Sequence, residues 1–287
     1  MNNLKIRQSL ERGCVMSSDE FSFDKFSKND FYSGVNARLV DMVNLKPGQR
    51  IVDLACGTGG VTRLIVDRVR GARESVIIAI DHSSIALKQA AENLKDARNA
   101  ALEFVQSRVE QMSETVKESA DTIFYCNAIH YVPDKDALLA EVSKSLKPGG
   151  KLAFNTSFYE GAQPLETQKF YRKWMFKAAI ILRREHGLKP ARTEKVESRK
   201  YLTPGQYRTL LERHQLHVVR EEIDKVLVPI EGWLDISSFE DFITGTMPGV
   251  PLDKARDALQ RGVQQAFSEL KIKNVVRNWL DVVAVRV

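Results

Sequence analysis

The stretch Arg50-Ile51-Val52-Asp53-Leu54-Ala55-Cys56-Gly57-Thr58-Gly59-Gly60 decides the fold. Arg50–Leu54 is a short apolar run of β-forming residues, and Val61–Val69, just beyond, carries apolar residues at helical spacing. Between them the glycines sit where the backbone must turn tightly and let a ligand come close. Strand, glycine-rich turn and helix in that order open a βαβ unit with a site for a nucleotide-like cofactor. Taken alone, the loop has a second reading as a tight turn with no ligand.

Working outward, the runs Val76–Ile80, Leu102–Gln106, Thr122–Cys126 and Lys151–Asn155 read as further strands, rich in Val, Ile, Leu and Phe as buried parallel strands are. Ser84–Leu94 and Lys135–Ser145 alternate with them as helices, and Pro148-Gly149-Gly150 turns the chain out of the second of these into the fifth strand. The pattern predicts an α/β protein with a mostly parallel sheet. Past Asn155 the alternation breaks. Phe170–Arg184 reads as one strongly apolar helix, Pro204–His214 as another, Leu216–Ile223 as a sixth strand, 226–276 as an irregular, partly helical stretch, and Trp279–Val287 as a last strand entering the sheet.

Two carboxylates qualify the loop. Asp81 ends the second strand, where an acidic side chain can accept hydrogen bonds from the two hydroxyls of a ribose. Capping the helix that follows Ser83-Ser84 is its alternative role. Asp53 stands just ahead of the glycines. It would repel a pyrophosphate, but it attracts the ammonium and sulfonium of S-adenosylmethionine, which favours that cofactor over NAD.

The chain resembles the class I S-adenosylmethionine-dependent methyltransferases, in particular the small-molecule branch that includes the ubiquinone and menaquinone C-methyltransferases. The motifs IVDLACGTGG, IAIDHS, ADTIFYCNAIHYVPD and LLAEVSKSLKPGGKLAFNT occur in that family's order and spacing across about residues 46–157. The resemblance implies a Rossmann-like, seven-stranded, mostly parallel sheet whose last strand lies antiparallel beside the fifth, with helical lid insertions.

It also implies roles, position by position. Asp53, Ala55 and Gly57 would meet the methionine end of the cofactor, Gly59 would shape the loop, Asp81 would bind the ribose and His82 would lie beside the adenine. Asn127 would lie near the methionine carboxylate and the transferring methyl group. Where the family often carries an Asp for the adenine amino group, this chain has Arg108, which cannot accept that hydrogen bond. Backbone groups near Val109, or the neighbouring Glu110, are then the candidates. The aromatic segment Phe21–Tyr32 would fold over the cofactor, with Phe26 and Tyr32 facing the sulfonium, or would simply pack on the sheet. His130 and Tyr131 are the candidate catalytic residues: His130 either takes a proton from the acceptor or lines its pocket.

The implied organisation is an N-terminal helical segment over the cofactor site (1–45), a core (46–157), two inserted helical elements for substrate (158–202 and 226–276) and the rest of the sheet (203–225 and 277–287). The insertions are rich in large apolar residues, among them Phe170, Trp174, Trp233 and Phe242. That suits a mainly apolar small-molecule methyl acceptor such as a polyketide, isoprenoid, quinone or other secondary metabolite, unless these residues only hold the insertions together.

Composition narrows the alternatives. Against 43 Lys and Arg stand 37 Asp and Glu, and a net charge of +6 spread along the chain is weak evidence for nucleic-acid binding. Its densest basic stretch, Arg172–Lys200, also carries Glu185, Glu194 and Glu197, as a solvated helix surface does. An RNA methyltransferase and a non-catalytic cofactor- or partner-binding member of the fold remain the alternative functions. Cys14, Cys56 and Cys126 are far apart and form neither a disulfide framework nor a zinc site, and no other metal-ligand spacing is present. No apolar stretch suits a signal peptide or a membrane span, so a soluble cytoplasmic protein is expected, with no membrane insertion.

Overall fold

The apolar runs assemble into one sheet. The computed structural model describes residues 5–8, 21–69, 74–97, 100–116, 119–191, 197 and 200–287; Cys14 and most of the segment before Phe21 lie outside them. Strands β1 (Lys5–Gln8), β2 (Arg50–Leu54), β3 (Val76–Asp81), β4 (Ala101–Gln106), β5 (Ala120–Cys126), β6 (Leu146–Thr156), β7 (Leu216–Pro229) and β8 (Asn274–Arg286) are ordered β1-β4-β3-β2-β5-β6-β8-β7. The seven strands anticipated from the sequence, β2 to β8, are all present. They run parallel except β8, which inserts antiparallel between β6 and β7.

Two strand assignments need correction. Lys5–Gln8 was expected in a helical segment, yet it pairs parallel with β4, whose outer backbone groups would otherwise form an open edge. Strands β7 and β8 also outrun their expected ends, pairing from Leu216 with Arg286 to Pro229 with Asn274. Residues 226–229 and 274–276, read as lid, therefore prolong the sheet. Each extension has the other as its ladder partner, so neither is evident from its own stretch of sequence.

Helices α1 (Asp24–Ser27) and α2 (Asp30–Val43) precede β2; α3 (Gly60–Arg68), α4 (Ser84–Asn93), α5 (Met112–Thr115) and α6 (Lys135–Ser145) connect the parallel strands. Beyond β6 come α7 (Gln168–Glu185) and α8 (Pro204–Arg213), and between β7 and β8 come α9 (Ile230–Ile236), α10 (Glu240–Thr246) and α11 (Leu252–Leu270). The sheet and its covering helices enclose one set of apolar clusters, and the inserted helices enclose another.

Packing of α7 on α11 holds the insertions together. Helix α7 buries Phe170, Trp174, Ala178 and Ile181 along one stripe, as its apolar spacing predicts. Helix α11 answers with Ala255, Ala258, Leu259, Gly262, Val263, Ala266 and Phe267. A Cβ on Gly262 would stand 3.0 Å from the Ala178 nitrogen and 3.1 Å from the Trp174 carbonyl oxygen, so a larger residue here would push the two helices apart. The Trp174 indole N–H donates to the Leu259 carbonyl at 2.9 Å, which satisfies the polar atom of a fully buried ring. Among the described residues no helix is long and apolar enough to cross a membrane.

Candidate active site

All the parallel strands end on the same side of the sheet. Neighbours of β2 lie to one side through β3 and to the other through β5, so the crevice at the carboxyl end of β2 is the point where strand order reverses, the usual ligand position in an open α/β sheet. The RIVDLACGTGG loop occupies it. Ala55, Gly57 and Gly59 all take positive φ, at 56°, 54° and 86°. Space at Gly59 is tight as well, because a Cβ would lie 3.0 Å from the Leu94 side chain and 3.2 Å from that of Ala90 on α4. At Gly57 the reverse holds: a Cβ would meet nothing within 4 Å, so the loop presents its backbone to open space.

Both carboxylates face this loop. Asp81 accepts hydrogen bonds from the backbone N–H of Gly57 at 2.9 Å and of Ser83 at 2.8 Å. Ser83, not Asp81, caps α4, its hydroxyl accepting from the Ala86 N–H at 3.2 Å. The cap role weighed for Asp81 therefore belongs to its neighbour, and Asp81 ties the glycine loop to β3. Asp53 is buried and accepts from the Thr62 hydroxyl at 2.5 Å. Burial pushes its carboxyl up to about 7 and the Asp81 charge adds to this, against the opposing Thr62 hydrogen bond. A buried acid with one neutral partner is short of positive charge, which an ammonium or sulfonium would supply.

His82 is largely exposed beside Asp81, with Nδ1 at 3.4 Å from the carboxylate, and its backbone carbonyl accepts from the Gln106 side chain. Asp241 of α10 is close enough to His82 for the two charges to interact, so the inserted helices reach this rim. Val109 and Glu110 form a single 3-10 turn after β4; Val109 packs half-buried on the core, Glu110 is exposed, and neither has a polar contact into the loop.

Asn127 closes the other side of the crevice. At φ 52° it follows β5 directly and is wired on every side. Its Nδ2 donates to the Asn36 side chain at 3.0 Å, its Oδ1 accepts from the Trp279 indole at 2.7 Å, and its backbone N–H donates to the Asn155 side chain at 3.0 Å. Asn36 accepts a second bond from Asn155 at 3.2 Å. Tyr32 is buried against Asn36 and Asn127, and burial raises its hydroxyl above the usual range for a phenol.

From Asn127 the crevice continues into an aromatic recess lined by Phe23, Phe26, Tyr32, His130, Tyr131 and Phe158, with Trp233, Phe242 and Trp279 closing it from the insertions and β8. Its cavity volume is about 40 Å³. His130 is buried, its Nδ1 at 3.0 Å from the Thr156 hydroxyl and its ring stacked on Phe158 at 4.2 Å between centroids. Tyr131 lies 4.2 Å from the same ring. Both candidates belong to a short 3-10 turn, Ile129–Tyr131, separate from α6. Phe26 packs at 5.0 Å from Tyr32 and 5.1 Å from Phe23, within this same wall.

A sequence model of the family described as "Methyltransferase domain" matches residues 45–214, more than half of the chain. The chain belongs to this family. Among curated proteins it is 33% identical over 118 residues to a trans-aconitate 2-methyltransferase of Delftia acidovorans, a match covering 41% of each chain. It is 32% identical over 133 residues to a ubiquinone/menaquinone biosynthesis C-methyltransferase of Legionella pneumophila, covering 44% of this chain and 51% of the other. The matches thus span about half, or less, of these relatives. A solved structure of Haemonchus contortus phosphoethanolamine N-methyltransferase 2 with S-adenosyl-L-methionine superposes with a TM-score of 0.52 at 17% identity, covering 93% of this chain and 56% of that one, a likeness of fold.

Several residues of the site escape a sequence reading. Asn36, Thr62, Asn155, Thr156, Arg277 and Trp279 carry its buried polar contacts. Thr62 had a detectable signal: it lies in the first turn after the glycines, within reach of the preceding strand end. The others meet only through the fold.

Proposed function

We propose that the chain is an S-adenosylmethionine-dependent methyltransferase of the cytoplasm that methylates carbon or oxygen of a small molecule with a mainly apolar body. One juxtaposition carries this reading. The glycine loop braced by Asp81 and the aromatic recess around His130 are adjoining compartments, and Asn127 forms the wall between them.

The residues suit the donor's polar groups. Asp53 and the open backbone at Ala55 and Gly57 fit the methionine end, whose ammonium would relieve the charge shortage at Asp53. Asp81 keeps further lone pairs for ribose hydroxyls while its two present bonds hold the loop. His82, with Val109 and Glu110 one strand away, would lie at the adenine end. When bound, the cofactor supplies a methyl group already activated for displacement.

The protein's share of the reaction is alignment and exclusion of water. Asn127, held on every side, fixes the boundary between donor and acceptor. Phe26 and Tyr32 present ring surfaces that favour a nearby cation. The Thr156 contact and the stack on Phe158 fix the His130 ring, which can either take a proton from an acidic carbon or hydroxyl or serve as pocket wall. The inserted helices select the acceptor, here a polyketide, isoprenoid, quinone or similar metabolite. The named relatives act on acceptors as unlike as an aconitate and quinones, so support for an apolar acceptor comes from the recess lining.

Incubation with methyl-labelled S-adenosylmethionine and separated fractions of a cell extract tests this. Label is expected in organic-soluble small molecules; label in RNA instead would overturn the acceptor class, and no transfer to any fraction would favour a cofactor-binding member without catalysis.

A further inference from the structure

Arg277 stands out among the recess walls. It projects from β8 into the lining, its residue is only 7% exposed, and among the described residues it forms no ion pair. Its contacts are neutral. One terminal nitrogen donates to the Tyr171 hydroxyl at 3.0 Å, the other to the Ser157 carbonyl, Tyr201 lies within hydrogen-bonding reach, and the Phe158 ring lies 5.1 Å beneath the guanidinium. Removing a guanidinium from water without a counter-charge is costly, and neutral oxygens with one ring face return only part of that cost. The guanidinium stays charged at any ordinary pH, so it cannot escape the penalty by losing its proton.

Its position gives the charge a use. Phe158 is sandwiched between two partners, stacked on His130 at 4.2 Å and under Arg277 at 5.1 Å, which places the cation one ring away from the candidate base. A guanidinium has five N–H donors in a planar fork, and the neutral contacts leave at least one of them over. Among the described residues Arg277 is the only Lys or Arg lining the recess. One cation in a mainly aromatic chamber matches one negative charge, and the fork matches a carboxylate.

We propose that Arg277 anchors a carboxylate carried by the otherwise apolar methyl acceptor. The inference rests on the acceptor-pocket reading above and sharpens it, from an apolar molecule to an apolar molecule with an acidic end. Arg277 holds that end while the apolar body lies along Phe158 and His130, so the anchor decides which atom of the acceptor faces the cofactor compartment.

Benzoate, benzamide and phenyl phosphate are suitable probes, titrated calorimetrically into the full chain with and without S-adenosylhomocysteine. Benzoate is expected to bind at least about tenfold more tightly than benzamide, the advantage of a charged hydrogen-bonded pair. In Arg277→Met that preference disappears while S-adenosylhomocysteine affinity is unchanged, and Arg277→Gln, which keeps a donor, gives the same loss should the methionine variant misfold. Equal response of the wild type to benzoate and benzamide, including no response to either, would overturn the proposal. So would a benzoate preference that survives in either variant. Tighter binding of phenyl phosphate than of benzoate would overturn the carboxylate assignment. Failure to bind S-adenosylhomocysteine bears on the cofactor reading alone, because the benzoate comparison is also made without it.

Discussion

The cofactor end of the cleft is built mainly on one short stretch, residues 53–83, whose backbone groups are tied by two carboxylates. The acceptor end is gathered from distant places, the rings of Phe23 to Tyr32, the His130 turn, Phe158, helices α9 and α10, and Arg277 with Trp279 on β8. The first end is stiffened by local hydrogen bonds and open above Gly57; the second is held by ring packing around a small recess. Two compartments built this way should fail separately: damage to the inserted helices ought to cost stability with little effect on cofactor affinity, and damage to the loop ought to do the reverse.

The strongest way to break that comparison is Trp174→Ala. It removes a fully buried ring together with its indole hydrogen bond to the Leu259 carbonyl, so a loss of about 3–5 kcal/mol is expected in denaturant unfolding. Phe176→Ala on the same helix, where the ring is 63% exposed, should change stability by no more than about 0.5 kcal/mol. Similar losses for the two would show that the α7–α11 contact is not what holds the insertions.

Next in size is Asp81→Ala, which strips the Gly57 and Ser83 N–H groups of their acceptor as well as removing a partner for ribose. S-adenosylhomocysteine affinity should fall roughly tenfold to a hundredfold, with benzoate binding unaffected. Unchanged cofactor affinity would reduce Asp81 to a brace for the loop.

A pH-dependent effect follows from Asp53, whose carboxyl burial raises to about 7. In the free protein this group favours the protonated form, so its contribution to stability is fully present below the unfolded value near pH 4 and is lost as pH rises through about 7. Cofactor binding has the opposite sign, because an ammonium needs the ionised carboxylate. Affinity for S-adenosylhomocysteine should therefore drop by up to about tenfold per unit as pH falls from 7 to 5, and the slope should vanish in Asp53→Asn. A slope that persists in the variant would assign the titration to another group.

The same contrast explains what was legible in the sequence. The loop could be read because its parts are neighbours: glycines, Asp53 and Asp81 are separated by single elements whose periodicity is plain, and backbone turns demand particular residue types. The acceptor end could be read only as composition. Asn36 meets Asn127 across 91 positions and Asn155 across 119, and Arg277 meets Ser157 across 120, so no spacing connects them. Helix α11 was also obscured, since its buried stripe depends on Ala255, Ala258, Gly262 and Ala266, small residues that contrast little with a solvated face. Asn127 and His130 fall between the two cases: the motif located them, and the fold supplied the partners that fix their orientation.

The central claim is that the loop half is a methyl-donor site and not a dinucleotide site, and calorimetry on the full chain with S-adenosylmethionine, S-adenosylhomocysteine and NADH tests it most directly. Binding of one equivalent of each sulfur nucleoside with no response to NADH is the predicted result. Preferential binding of NADH, or no binding of either nucleoside by folded protein, would contradict it.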